Sequence, residues 1–129
     1  MGMYTELVLG VQICPDESIL SILKYMIGDT DDYGEHYYHD LFTTERWPIM
    51  LRCGSAYFDG QPDSKLFEYY GDYYLNVRCN FKNYSNEIYL FLDWLQPYIV
   101  TDGFIGYMRY EECDDPTLIY NELGRIVYK

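Results

Sequence analysis

Apolar and polar side chains alternate over residues 4–13, the pattern typical of a strand with one buried face. The side expected to be buried consists of Thr5, Leu7, Leu9, Val11 and Ile13. The opposite side consists of Tyr4, Glu6, Val8, Gly10 and Gln12. This pattern predicts a half-buried strand at the start of the fold.

Two other segments have apolar residues three and four positions apart, which predicts helices. The first covers about 15–27 and ends at Gly28. The second follows Asn83 or Ser85, either of which can cap its first turn. Pro97 is expected to terminate or kink this second helix.

The remaining periodic segments predict strands. One covers about 48–58, interrupted at Gly54. The next two, 65–70 and 73–81, form a hairpin joined by Gly71-Asp72, a pair that supplies the positive φ of a two-residue turn. After the second helix, extended runs are predicted over 104–112, 117–121 and 125–128.

The resulting order is β-α-β-β-β-α-β-β, with a short final strand. It predicts a single α+β domain over 1–129, a two-layer sandwich in which both helices cover one face of a mostly antiparallel sheet. A ferredoxin-like or related split arrangement is the leading strand order. The core is expected to contain Leu7, Leu9, Val11, Ile22, Leu23, Leu75, Val77, Ile88, Leu92 and Leu95.

The net charge of the protein restricts the kinds of molecule that it is expected to bind. With 9 Lys and Arg against 21 Asp and Glu, the formal net charge is −12, and such a field repels nucleic-acid phosphates. The aperiodic segment between the first helix and the next strand contains several acidic residues, with no Lys or Arg between them. These are Asp29, Asp31, Asp32, Glu35, Asp40 and Glu45, with a second cluster at Asp114 and Asp115. The alternative interpretation is that the charge serves solubility alone.

Targeting signals and cysteine spacing indicate the compartment. No apolar stretch approaches the ~20 residues that span a bilayer, and the amino-terminal residues have no basic signal region. We therefore expect a soluble cytoplasmic protein with no membrane partner. The cysteines, Cys14, Cys53, Cys79 and Cys113, form no Cys-x-x-Cys pair and are expected to be free thiols.

The common catalytic motifs are absent from the sequence, including the P-loop, Gly-x-Ser-x-Gly and His-Glu-x-x-His. We therefore expect no enzymatic activity and no cofactor. An alternative function is a small metal- or ligand-binding module in the 29–45 segment, where His36, His39 and Asp40 are potential ligands. The pair Glu111-Glu112 is not expected to act as a catalytic dyad, because adjacent strand residues point to opposite faces.

The sheet face opposite the helices is the more informative surface, because nothing is predicted to cover it. Tyr and Arg are enriched at the energetic centres of protein interfaces. The alternative is that tyrosine simply has a high strand propensity. This face is expected to carry Tyr4, Glu6, Gln12, Tyr74, Asn76, Arg78, Asn80, Tyr107, Arg109 and Glu111.

Several segments resemble small hypothetical proteins encoded by phages and prophages. They are Tyr4-Thr-Glu-Leu-Val-Leu, Ile22-Leu-Lys-Tyr-Met-Ile-Gly28, 82–99, Gly106-Tyr-Met-Arg-Tyr-Glu-Glu112 and Pro116-Thr-Leu-Ile-Tyr120. This resemblance implies a phage accessory protein, and a compact acidic chain of this size is similar in kind to anti-CRISPR and other anti-defence inhibitors. It assigns no functional residue.

The combined hypothesis is an acidic inhibitor, a monomer or homodimer, that binds a basic, nucleic-acid-handling host protein. Carboxylates can replace DNA phosphates in such a complex, because Lys and Arg form charge-assisted hydrogen bonds with both. The expected partner-binding residues are Asp29, Asp31, Asp32, Glu35, Asp40, Tyr74, Arg78, Tyr107, Arg109, Asp114 and Asp115.

Overall fold

A computed structural model describes residues 4–32, 39–55 and 58–129. In this part of the chain, six antiparallel strands form one sheet in the order β2-β3-β1-β4-β5-β6. The strands are β1 (Tyr4–Ile13), β2 (Lys65–Tyr69), β3 (Asp72–Lys82), β4 (Gly103–Tyr110), β5 (Thr117–Glu122) and β6 (Arg125–Tyr128). The helices are α1 (Glu17–Ile27) and α2 (Glu87–Leu95), with short 3₁₀ helices over Asp40–Thr43, Trp47–Arg52 and Gln96–Tyr98.

The first four strands have the predicted ferredoxin-like order. The connection from β1 through α1 to β2 skips one position in the sheet, which β3 fills. The connection from β3 through α2 to β4 likewise passes over β1. Two interleaved split β-α-β units result, and β5 and β6 extend the sheet beyond β4. The predicted α+β class is confirmed.

The predicted strand over 48–58 is wrong in its described residues, and residues 56 and 57 lie outside them. Residues Trp47–Arg52 form a 3₁₀ helix, with Pro48 in its first turn. Trp47, Met50 and Leu51 are buried while Ile49 is 43% exposed, a spacing that alternation along a strand cannot produce. A short continuous apolar run does not by itself distinguish a strand from a buried helical turn, and Pro48 favours the turn.

The predicted hairpin is confirmed, but its turn lies one residue earlier. Tyr69 pairs with Asp72, so the two loop residues are Tyr70 and Gly71, with φ of 52° and 84°. Two positive φ values in a two-residue loop match the twist of the strands that it joins. The Leu123-Gly124 turn between β5 and β6 repeats this geometry, with φ of 52° and 82°.

The core lies between the sheet and the helical layer. All ten residues predicted for it are buried, and Leu7, Ile22, Leu75 and Leu92 have no exposed surface. Within the helical layer, Phe42 lies edge-on to both Trp47 and Trp94, at 4.8 and 5.7 Å between ring centroids. These rings join the first two 3₁₀ helices to α2, so residues 40–52 are packed into the helical layer.

Local hydrogen bonds fix the helix ends and one edge of the sheet. The Asp16 carboxylate accepts from the backbone N–H groups of Ser18 and Ile19, and Asn83 Oδ1 accepts from Ile88 N–H at 2.9 Å. Beyond α2, Gln96 Oε1 accepts from the N–H of Ile126 on the edge strand β6, at 2.7 Å. Neither α1 nor α2, nor any other helix in the described ranges, is long and apolar enough to cross a membrane.

Candidate functional site

The pairing register brings the predicted face residues together on the side of the sheet away from the helices, called the outer face below. Glu6 on β1 lies opposite Asn80 on β3 and Arg109 on β4, while Val8 lies between Arg78 and Tyr107. Glu111 follows β4 and returns to β1, since its carboxylate accepts from the N–H of Tyr4 at 3.0 Å. The predicted assignment of the two sheet faces therefore agrees with the register.

Glu6 is the electrostatic centre of the outer face. It is only 4% exposed, and its two carboxylate oxygens lie 3.8 Å from Arg78 Nη1 and 3.7 Å from Arg109 Nη2. A buried carboxylate is stable only when it is paired. Both guanidinium groups, each more than a third exposed, stabilise this one charge across three neighbouring strands.

The expectation that nothing covers the outer face is wrong at this end. The Phe58 ring is 5% exposed and lies 5.2 Å from the Arg109 guanidinium carbon. The Gly60 carbonyl accepts from Asn80 Nδ2 at 3.3 Å, and Asp63 N–H donates to the Arg78 carbonyl at 2.8 Å. Residues 58–63 therefore lie over the Arg78–Glu6–Arg109 group.

This covering loop arises from the short length of β2. The strand β2 pairs with β3 only from Asp72 to Asn76, so the backbone of Arg78 and Asn80 has no neighbouring strand on that side. The loop before β2 takes up these groups, because Asn80 N–H donates to the Cys53 carbonyl at 2.9 Å. Sequence reasoning missed Phe58, although an aromatic residue directly before Asp59-Gly60 is a signal that this turn is anchored.

Next to this group, the described part of the outer face forms an open trough of about 510 Å³. Val8 and Gly10 form its floor. Phe104 and Tyr107 stand on its β4 side, and Asn76, Arg78 and Asp63 stand on its β3 side. Two predicted binding residues, Arg78 and Tyr107, thus line one concave surface.

Tyr74 lies outside this trough. Its ring stacks on Phe67 of β2, with 5.5 Å between centroids and 22° between planes. Phe67 is 43% exposed, and the neighbouring Tyr69 and Tyr70 are 59% and 90% exposed. These residues form a separate aromatic edge at the β2–β3 hairpin.

The predicted acidic residues are exposed, but they lie on separate connections. Asp29, Asp31 and Asp32 follow the C-terminal end of α1, and Asp40 begins the first 3₁₀ helix. Asp114 and Asp115 lie in the turn between β4 and β5. Glu35, also predicted for the site, lies outside the described residues. The hypothesis of one surface containing both the acids and the outer-face residues therefore separates into two surfaces.

Charges are divided unequally between these surfaces. Strand residues on the outer face include five of the nine basic side chains but only three carboxylates, Glu6, Asp72 and Glu122. The basic residues are Lys65, Arg78, Lys82, Arg109 and Arg125. Most of the negative charge therefore lies on the connections and the helical layer.

The metal-binding alternative depends on His39 and on His36, and His36 lies outside the described residues. His39 Nδ1 accepts from Leu41 N–H at 3.0 Å, and its Nε2 lies 2.8 Å from an Asp93 carboxylate oxygen. Both ring nitrogens are therefore used within the fold, and a metal ion would have to displace one of these partners. Within the described ranges, no group of three or more His, Cys, Asp or Glu side chains is placed to hold a metal ion.

A second buried carboxylate, Glu87, was not predicted from the sequence. It is 1% exposed at the start of α2, where Oε1 accepts from Ser85 N–H at 2.8 Å and Oε2 lies 3.6 Å from Arg46 Nη2. Arg46 also donates to the Lys82 carbonyl at 2.8 Å and lies over the Phe81 ring. This ion pair joins the helical layer to β3 and has a structural role.

The thiols are free, as predicted, and two of them are held in the protonated form. Burial raises the pKa of Cys79 far above that of an ordinary thiol. Burial also raises the pKa of Cys53, partly offset by the nearby Arg46 and Arg52. Neither thiol has the lowered pKa of an activated nucleophile.

Comparisons of the chain with protein-family models, curated proteins and solved structures find no match.

Proposed function

We propose that this protein acts by binding another protein, without turnover of its own, and that it inhibits a basic, nucleic-acid-handling component of a host defence system. The acidic surface of the connections and helical layer is the proposed contact. The expected resemblance to small phage and prophage proteins is part of this proposal, and it implies an anti-defence role of the anti-CRISPR kind.

The observation that carries the proposal is the unequal distribution of charge. A net charge of −12 spread evenly would act mainly on solubility. Here the outer face holds five of the nine basic side chains, which leaves an excess of carboxylates on the connections that carry Asp29, Asp31, Asp32 and Asp40. Lys24 and Arg52 are the basic residues next to the start of this segment, at Gly28 and Asp29. Such a surface attracts Lys and Arg of a DNA-binding cleft and speeds association with it.

Retention of bacterial proteins on the immobilised chain tests the proposal. We expect a basic nucleic-acid-binding protein to be retained at low salt and released both by duplex DNA and by salt, because the field is screened over about 8 to 10 Å at physiological ionic strength. Retention that neither duplex DNA nor salt reduces would contradict the charge-based mechanism.

Two variants with equal charge change separate a specific surface from net charge. Asp29→Asn, Asp31→Asn and Asp32→Asn together remove three charges from the acidic connection. Asp72→Asn, Asp102→Asn and Glu122→Gln together remove three exposed charges elsewhere. The first set is expected to weaken retention much more than the second. Equal losses would show that only net charge matters.

A further inference from the structure

Gly10 occupies a position where the fold does not require glycine. It lies within the central strand β1, opposite Asn76. A Cβ there would meet only Asn76 Oδ1, at 3.6 Å, which is an ordinary contact. Gly106 on the neighbouring strand is different, because its Cβ would collide with the Val8 carbonyl oxygen. Glycine weakens a strand interior, and such glycines are often found where a ligand or another backbone approaches closely.

Gly10 is also the floor of the open trough of the outer face. The trough runs along β1, and its walls stand on β3 and β4, two strand spacings or about 10 Å apart. That separation leaves room for one ring between the walls. A side chain at position 10 would occupy the floor, and its Cβ would make only an ordinary contact with Asn76.

The two walls differ in chemistry. On β4, Phe104, 55% exposed, and Tyr107 present aromatic rings. On the opposite side stand Asn76, Arg78 and Asp63. The Arg78 guanidinium lies near Glu6, and the Asp63 carboxylate lies near Lys65. One wall therefore offers a face for stacking, and the other offers several hydrogen-bond donors and acceptors at once.

This lining favours an uncharged ligand. Both charged groups of the lining are already paired, Arg78 with Glu6 and Asp63 with Lys65 at 3.6 Å, so they offer little attraction to an anion or a cation. The net charge of −12 also repels an anion. A neutral ring with hydroxyl groups at several positions gains from both charged groups and from Asn76, and its C–H face packs on Phe104 and Tyr107. We propose that the trough is a binding site for a pyranose ring of an uncharged saccharide.

Titration of the isotope-labelled protein, followed by amide NMR shifts, tests this proposal. The probes are methyl pyranosides of glucose, galactose, mannose and N-acetylglucosamine, with adenosine monophosphate and N-acetylarginine amide as charged comparisons. At least one glycoside is expected to shift the amides of Gly10, Asn76 and Tyr107 with millimolar affinity. Absence of such shifts with all four glycosides, or tighter binding of either charged probe in the trough, would overturn the proposal.

Substitution of Gly10 separates binding from folding. Gly10→Val is expected to lower glycoside affinity at least tenfold while the thermal midpoint stays at or above that of the wild type. Gln12→Val, on the same strand and face but outside the trough, is the matched control and should retain binding. Should Gly10→Val fail to fold, Gly10→Ala and Tyr107→Leu are measured instead, and unchanged affinity in both would contradict the assignment.

Discussion

The carboxylate of Glu6 lies 3.7 Å from the guanidinium of Arg109 on the adjacent strand, and it is the more buried partner of the two. Arg78 reaches the other oxygen of the same carboxylate at 3.8 Å. Each arginine can therefore compensate for loss of the other.

Because Arg78 and Arg109 both pair with Glu6, we expect the losses of stability on replacing them to be non-additive. Arg78→Gln and Arg109→Gln are each expected to cost about 1 kcal/mol, because one guanidinium still pairs with Glu6. The double variant leaves a buried carboxylate unpaired and is expected to cost about 3 to 5 kcal/mol. Urea unfolding of the four proteins measures the difference. Strictly additive losses would show that Glu6 is not shared.

The raised pKa of Tyr128 predicts that the protein loses stability in alkaline solution. Burial, together with the nearby Tyr89 and Asp93, raises its pKa from 10.0 to about 12. The folded state therefore holds the phenol proton more tightly than the unfolded state. The resulting contribution of Tyr128 to the free energy of unfolding is fully present below pH 10 and is lost as the pH rises towards 12. Tyr128→Phe should flatten the fall in thermal midpoint over this range. An identical fall in the variant would assign the effect to other groups.

Thiol labelling should follow burial. Under denaturing, non-reducing conditions we expect four reactive cysteines, because all are free. In the folded protein the exposed Cys113 should react first and the buried Cys79 last, since burial raises the pKa of Cys79 and blocks access of the reagent. Mass spectrometry of timed alkylation gives the order. Early modification of Cys79 would contradict the assignment of its strand face.

Leu92 and Tyr74 provide a test of the two sheet faces. Leu92 has no exposed surface, and Leu92→Ala is expected to cost about 2 to 5 kcal/mol. Tyr74 packs on Phe67 at an exposed edge, so Tyr74→Ala should cost much less. Denaturant unfolding measures both free energies. Comparable losses would mean that the outer face is packed against something in solution.

The elements predicted well are those whose signals are local. The hairpin of β2 and β3 follows from Gly71 between two alternating runs, and α1 follows from its apolar spacing and Gly28. The turn position was wrong by one residue, because Tyr70 adopts a positive φ that a sequence does not mark for tyrosine. Gly71 indicates that a turn lies close to this position, but it does not indicate which two residues form the loop.

The features missed depend on contacts between distant segments. The segment of Trp47–Arg52 is apolar without alternation, and its 3₁₀ form follows from packing against Phe42 and the helices. Phe58 covers Arg109 because β2 is too short to pair with all of β3, and strand length is not readable to that accuracy from composition. The two acidic clusters were assigned to one binding site together with the outer face, whereas the topology places Asp29, Asp31 and Asp32 on a different connection from Asp114 and Asp115.

The central position of β1 has a consequence for the rate of folding. The backbone of Tyr4 is hydrogen-bonded to Glu111, 107 residues away, and β1 pairs on both sides with strands from the later parts of the chain. The hairpins at Gly71 and Gly124 can close within microseconds, but the sheet has no centre until these long chain loops have closed. A topology dominated by such non-local pairs folds in milliseconds to seconds, so the conformational search for β1, rather than hairpin formation, sets the folding time.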